Sequence, residues 1–143
     1  MIAGSYNLTC EQGADFLRSI ILKYPDANDP TGSTYLNFDL AGYTARMQVR
    51  RTVESSSTMV SLTTENSGIT IEPSSTKGEI RVIMSAATTA ALDSNGVYDL
   101  EIISGAGTVS RVIQGTFSLD LEVTRCLPPI KYSFTKMPVI KSM

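Results

Sequence analysis

The feature that most constrains this chain is a β-hairpin predicted over residues 96–121. In its first arm Tyr98, Leu100 and Ile102 fall on one side, because successive side chains of a strand point to opposite faces. Two glycines follow, and glycine gives the backbone the freedom that a tight reversal needs. A hairpin cannot bury its own apolar face, so the rest of the chain must supply a second layer.

The second arm of this hairpin contains an interruption. Most of its apolar residues share one phase of a strand, namely Val109, Ile113, Phe117 and Leu119. Arg111 breaks that phase, and Val112 falls on the polar side. An extra residue in one strand of an antiparallel pair has this effect, so the pattern predicts a β-bulge or an edge position nearby.

Short segments with the same alternation recur along the rest of the chain. They cover residues 36–40, 43–49, 60–62, 69–71 and 80–84. A change of phase at Gly42 indicates a turn or a bulge between the first two. Residues 14–23 fit either a strand or one face of a helix, and their β-branched residues favour a strand. We expect four side chains to face the core: Val82, Leu100, Ile102 and Phe117.

One segment departs from the β pattern. Four alanines between Ser85 and Leu92 favour a helical turn, which Ser85 can cap. Residues 24–32 are predicted to form a loop, because they contain prolines, a glycine and three Asx side chains. The fold class expected is all-β: an antiparallel sandwich of seven or eight strands with one short helical turn.

The charges divide the chain into two parts. Its 143 residues suffice for one domain and are few for two. All 14 acidic residues lie at or before Glu122, and the basic residues of that part leave it with a net charge of −6, whereas the remaining residues carry +4. The overall charge of −2 argues against a dedicated nucleic-acid binder. We therefore expect a domain of residues 1–125 and an extended C-terminal arm of residues 126–143.

The arm contains three prolines, no glycine and many large apolar residues. One interpretation is an edge strand packed on its own sandwich, with Pro138 confining it to an edge. The other, which we favour, is an arm that docks on another subunit. Nine residues are the candidates for partner binding: Pro128, Pro129, Lys131, Tyr132, Phe134, Lys136, Pro138, Val139 and Ile140.

The N-terminus and the cysteines bear on the cellular compartment. No charged segment followed by an apolar run marks the first residues, so no secretory signal is expected. Cys10 and Cys126 flank the body of the chain, and a sandwich could bring them together. Without secretion, two free thiols are favoured over a disulfide.

Residues that could support catalysis or hold a metal are scarce. The chain has no histidine, which removes the commonest general base and the commonest metal ligand. The letters S-x-x-K at residues 133–136 lie between prolines rather than at a helix start. Asp26, Asn28 and Asp29 could hold calcium, but they lack the EF-hand spacing, so a hydrogen-bonded loop is favoured. We expect no enzyme activity, no cofactor and no metal site.

Several short motifs follow one another in a recognisable order. They are Gly13-Ala14-Asp15 before a strand, then residues 38–50, 68–71, 78–88, 96–102 and 113–125. Over residues 13–125 this order resembles the N-terminal, immunoglobulin-like domain of upper-baseplate and related tail proteins of tailed bacteriophages.

The resemblance implies an immunoglobulin-like sandwich and a non-enzymatic structural role in a phage virion, in the tail, baseplate or neck. Assembly in the host cell cytoplasm in several copies is then expected. The partners expected are other virion proteins and copies of the chain itself, rather than nucleic acid, a membrane or a small-molecule substrate. A carbohydrate-binding module for host-surface attachment is the alternative. Such modules usually expose planar aromatic rings, and the chain has no tryptophan.

Overall fold

The computed structural model describes residues 3–71 and 77–124, which form eleven β-strands and one short α-helix. The strands are β1 (Gly4–Ser5), β2 (Leu8–Glu11), β3 (Phe16–Ile21), β4 (Lys23–Pro25), β5 (Tyr35–Asn37), β6 (Thr44–Arg50), β7 (Val60–Thr63), β8 (Ile69–Ile71), β9 (Glu79–Met84), β10 (Gly96–Ile103) and β11 (Val109–Asp120). The helix is α1 (Ala86–Ala90).

The largest sheet has six strands, with β10 near its centre. β10 pairs antiparallel with β11 on one side and with β6 on the other, and β7 extends the sheet beyond β6. β1 and β2 both pair with β11 and run parallel to it. These two parallel pairings are an addition to the antiparallel arrangement expected from the sequence.

A second sheet, in the order β3-β9-β8, is antiparallel and packs against the first. Phe16 of β3 meets Phe117 of β11 between the sheets, with the ring centroids 6.2 Å apart. The four side chains predicted to face the core are almost fully buried: Val82 0%, Leu100 0%, Ile102 1% and Phe117 0% exposed. The all-β sandwich is therefore confirmed. The strand count exceeds the expected seven or eight mainly because short strands such as β1 and β4 carry too few residues to show alternation.

The β10–β11 hairpin contains the predicted bulge. Leu100 lies opposite Ile113, whereas Glu101 lies opposite Arg111, so Val112 is the extra residue. Val112 is buried, and Val109 is 46% exposed. The phase assigned to these two valines was wrong, because a one-residue insertion reverses the facing of every residue on one side of it.

The region of residues 14–40 follows the sequence prediction in part. The strand favoured for residues 14–23 is confirmed as β3, with Phe16 buried and Leu17 exposed. The loop expected over residues 24–32 begins two residues later than predicted, because β4 ends at Pro25. The strand expected over residues 36–40 was wrong in extent, since β5 ends at Asn37.

Helix α1 is hydrogen-bonded to the turn between β2 and β3. Ser85 caps the helix as predicted, and the Asp15 carboxylate accepts a hydrogen bond of 2.8 Å from the first helical amide. The buried Thr89 hydroxyl donates to the Ala14 carbonyl oxygen at 2.8 Å and accepts from the Gly13 amide at 3.0 Å. Within the described residues, no helix has the length and apolar character needed to cross a bilayer.

Candidate functional site

The feature that stands out as a binding surface is the hairpin formed by β4 and β5. These strands pair only with each other among the described residues, outside both sheets of the sandwich. All six of their residues are exposed. Tyr24, Leu36 and Tyr35 are 45%, 40% and 55% exposed. A two-stranded hairpin that buries neither face gains little from the hydrophobic effect, so these side chains have apolar area available for a partner.

The base of this hairpin is fixed to the sandwich. The Phe38 amide donates to the Leu22 carbonyl oxygen at 2.9 Å, and the Leu22 amide donates to the Gly78 carbonyl oxygen at 2.8 Å. Aromatic rings continue from the hairpin towards the core: Tyr24 lies edge-on to Phe38 with centroids 6.4 Å apart, and Phe38 lies 5.6 Å from the ring of Tyr43. The hairpin is therefore presented in a defined orientation.

The loop at the tip of the hairpin is ordered around Asp29. One carboxylate oxygen of Asp29 accepts from the amide and the hydroxyl of Thr31, at 2.9 and 2.6 Å, and the other accepts from the Thr34 amide at 2.8 Å. The Asp26 carboxylate accepts from the Asn28 amide at 2.9 Å. The hydrogen bonds from Thr31 and Thr34 hold the pKa of the Asp29 carboxyl well below its usual range, so Asp29 stays ionised.

These contacts agree with the hydrogen-bonded interpretation of the Asx-rich loop. Both oxygens of Asp29 are used by the loop itself, as the hydrogen-bonded interpretation requires. Among the residues that the structure describes, no three of His, Cys, Asp and Glu converge on a point where a metal could bind. The loop therefore stiffens the hairpin tip and keeps negative charge there.

The outer face of the six-stranded sheet forms a second, polar surface. Arg46 bonds Glu101 at 2.8 Å, and Arg111 lies 3.3 Å from a carboxylate oxygen of Asp99. A groove of about 390 Å³ runs along this face, and its lining includes Gln48, Arg50, Val53, Asp99, Arg111 and Gln114. Arginine and glutamine side chains can hydrogen-bond hydroxyl groups, so this groove could take a polar ligand. The one aromatic residue in the lining, Tyr98, is 4% exposed and offers little ring surface for stacking.

Tyr98 instead forms a hydrogen bond to the segment between β1 and β2. Its hydroxyl donates to the Tyr6 carbonyl oxygen at 2.6 Å. Burial raises the pKa of Tyr98 to about 12, with a smaller contribution from Tyr6. Cys10 on the neighbouring β2 is a buried free thiol, and burial raises its pKa as well. Both groups therefore serve packing rather than binding.

The nine residues predicted to bind a partner lie in the arm, outside the described residues, as does Cys126. The described chain ends close to the turn before β3, where the Glu122 amide donates to the Gln12 side-chain oxygen at 3.1 Å. Val123 is 94% exposed there. The exposed hairpin was not predicted from the sequence. The available signal was a pair of tyrosines, Tyr24 and Tyr35, flanking a loop rich in Asx residues.

No family model and no curated protein matches the sequence. The function is therefore inferred from the sandwich, the exposed hairpin and the distribution of charge.

Proposed function

We propose that this protein is a non-enzymatic structural component of a phage virion, in the tail, baseplate or neck, that assembles in several copies with other virion proteins. The order of motifs over residues 13–125 supports this proposal. The sheet composition supports an immunoglobulin-like sandwich. β6, β10 and β11 share one sheet and β3, β9 and β8 the other, as the C, F, G and B, E, D strands of that fold do.

The main observation in support of the proposal is the exposed β4–β5 hairpin. It belongs to an acidic domain whose predicted arm is basic. The hairpin presents Tyr24, Tyr35 and Leu36 on an ordered support. Exposed apolar groups of this kind mark protein interaction sites more often than catalytic ones. A net charge of −6 on residues 1–122 and of +4 on residues 123–143 favours contacts between neighbouring copies.

In this proposal the arm supplies the contacts to a partner. Tyr132, Phe134, Val139 and Ile140 are the apolar anchors, and Pro128, Pro129 and Pro138 keep the arm extended, which lowers the entropy lost on docking. Lys131 and Lys136 contribute steering and register more than affinity. The partners are copies of the chain and other virion proteins, and the site of assembly is the host cell cytoplasm.

A carbohydrate-binding module is the second candidate, and the polar groove on the six-stranded sheet favours it. Amide and guanidinium groups from Gln48, Gln114 and Arg111 line that groove. Screening the full chain against a glycan array, with Gln48→Ala as the matched variant, tests this role. Glycan binding that is lost in Gln48→Ala would support it over the structural role.

Mass spectrometry of purified phage particles that carry the gene tests the structural role. The expected result is the protein in the finished particle, in an amount that corresponds to several copies. Its presence in infected cells but not in particles would contradict a structural role in the virion.

A further inference from the structure

We propose that the β4–β5 hairpin is the receiving surface for residues 130–136 of the arm of a second copy. This inference rests on the proposed function, in which the arm docks on a neighbour, and it names the surface and the direction of docking. The occupant is a segment of this same chain, and the contact joins the two copies head to tail.

The hairpin supplies an apolar face with acidic surroundings. Tyr24 and Leu36 lie directly opposite each other in the pairing of β4 with β5, so their side chains share one face. The ring of Phe38 fills the inner end of that face. Over residues 23–39 one lysine and three aspartates leave a net charge of −2, and Asp29 stays ionised.

The arm supplies the complementary pattern. Ile130, Tyr132 and Phe134 alternate with Lys131 and other polar residues, so an extended arm presents one apolar row and one polar row. Prolines flank this stretch on both sides, at residues 128–129 and 138, and favour the extended form. The arm carries no acidic residue, so its charge is opposite to that of the hairpin.

The position where the described chain ends favours docking between two copies over docking within one. Glu122 is hydrogen-bonded to Gln12, before the start of β3, whereas the hairpin follows the far end of β3. The extended strand β3 alone spans about 17 Å from Phe16 to Ile21. The six residues from Thr124 to Ile130 reach at most about 20 Å. On its own copy Ile130 would reach no further than the near end of the hairpin, whereas the hairpin of a neighbouring copy can receive the whole row from Ile130 to Phe134.

Head-to-tail docking has a consequence for symmetry. The arm of one copy and the hairpin of the next are different surfaces, so the contact is heterologous. Repetition of a heterologous contact closes into a ring or continues as a filament.

Cross-linking between two labelled full-length chains tests this inference. One chain carries Asn37→Cys on β5, the other carries Ser133→Cys in the arm, and both carry Cys126→Ser. Cys10 is buried and does not compete for the reagent. A short bismaleimide is added to the mixture, and the linked dimer is followed by gel electrophoresis and mass spectrometry. The matched control replaces Asn37→Cys with Val53→Cys, at a site that is 79% exposed and outside the hairpin.

Docking raises the effective concentration of the two thiols to the millimolar range, so Asn37→Cys should link about a hundredfold faster than Val53→Cys at micromolar protein. Adding Tyr24→Ser and Leu36→Ser should remove this advantage, while circular dichroism should show the same β-sheet content as in the parent chain. Equal rates at the two sites would overturn the hairpin as the receiving surface. An intramolecular link in a single chain that carries both cysteines would overturn docking between copies.

Assembly of a shortened chain tests the proposed function separately. A chain that ends at Arg125 and still assembles would contradict both proposals. Loss of assembly in that chain, together with equal cross-linking rates, would contradict only the choice of the hairpin.

Discussion

Phe117 is the side chain whose removal tests the sandwich most severely. It is fully buried, and its ring lies 6.2 Å from that of Phe16 in the opposite sheet. Its partner across the β10–β11 pairing is Gly96, which has no side chain that could fill a vacated space. Phe117→Ala should therefore leave a cavity and lower the free energy of unfolding by about 3–5 kcal/mol.

Urea unfolding followed by circular dichroism measures this loss. The midpoint should fall while the dependence of the free energy on urea stays unchanged, and the melting temperature should drop by roughly 10–20 °C. Leu121→Ala, at a residue that is 61% exposed, is the control and should change the free energy of unfolding by at most about 0.5 kcal/mol. If Phe117→Ala unfolds like Leu121→Ala, the assignment of Phe117 to the core is wrong.

Three further predictions concern buried polar groups. Cys10 should react with a thiol reagent only after unfolding, and both it and Cys126 should titrate as free thiols without prior reduction; the absence of free thiol would show a disulfide. The pKa of Tyr98 is raised to about 12 in the folded state from 10 in the unfolded chain, so stability should be constant below pH 10 with respect to this group and fall between pH 10 and 12. Tyr98→Phe should lack that fall in unfolding experiments across the same range. Thr89→Val should cost about 1–3 kcal/mol in urea unfolding, because the Gly13 amide loses its partner; an unchanged midpoint would show that α1 does not fasten the turn.

The parts of the fold that could be predicted from the sequence are those with a local, repeating signal. Leu100 and Ile102 could be assigned to the core because burial on one face of a strand imposes a period of two. The cap at Ser85 could be predicted because capping depends on one side chain and the amides just after it. These features need no knowledge of distant contacts.

The parts that could not be predicted depend on distant pairing or on exposure. The parallel pairing of β1 with β11 joins residues about a hundred positions apart, and two-residue strands have no period. Val112 was assigned to the wrong face because the position of a bulge is set by the partner strand. β4 was missed because all its residues are exposed and Pro25 favours a loop interpretation.

The candidate site also has one part that was predicted from the sequence and one part that was not. The arm and its nine binding residues remain a prediction from composition and charge, since they lie outside the described residues. The signal for the exposed hairpin, Tyr24 and Tyr35 on either side of an Asx-rich loop, does not show that these strands are exposed. The packing of Phe38 against Tyr43, next to two strands that pair only with each other among the described residues, shows that Tyr24 and Leu36 are held in place yet exposed.

Sedimentation velocity of the full chain and of a chain that ends at Arg125 tests the central claim most directly. The account predicts that the full chain sediments as an assembly of several copies. The shortened chain should sediment as a folded monomer with an unchanged melting temperature. Assembly of the shortened chain to the same size would show that the arm is dispensable, and its unfolding would show that the arm is an edge strand of its own sandwich.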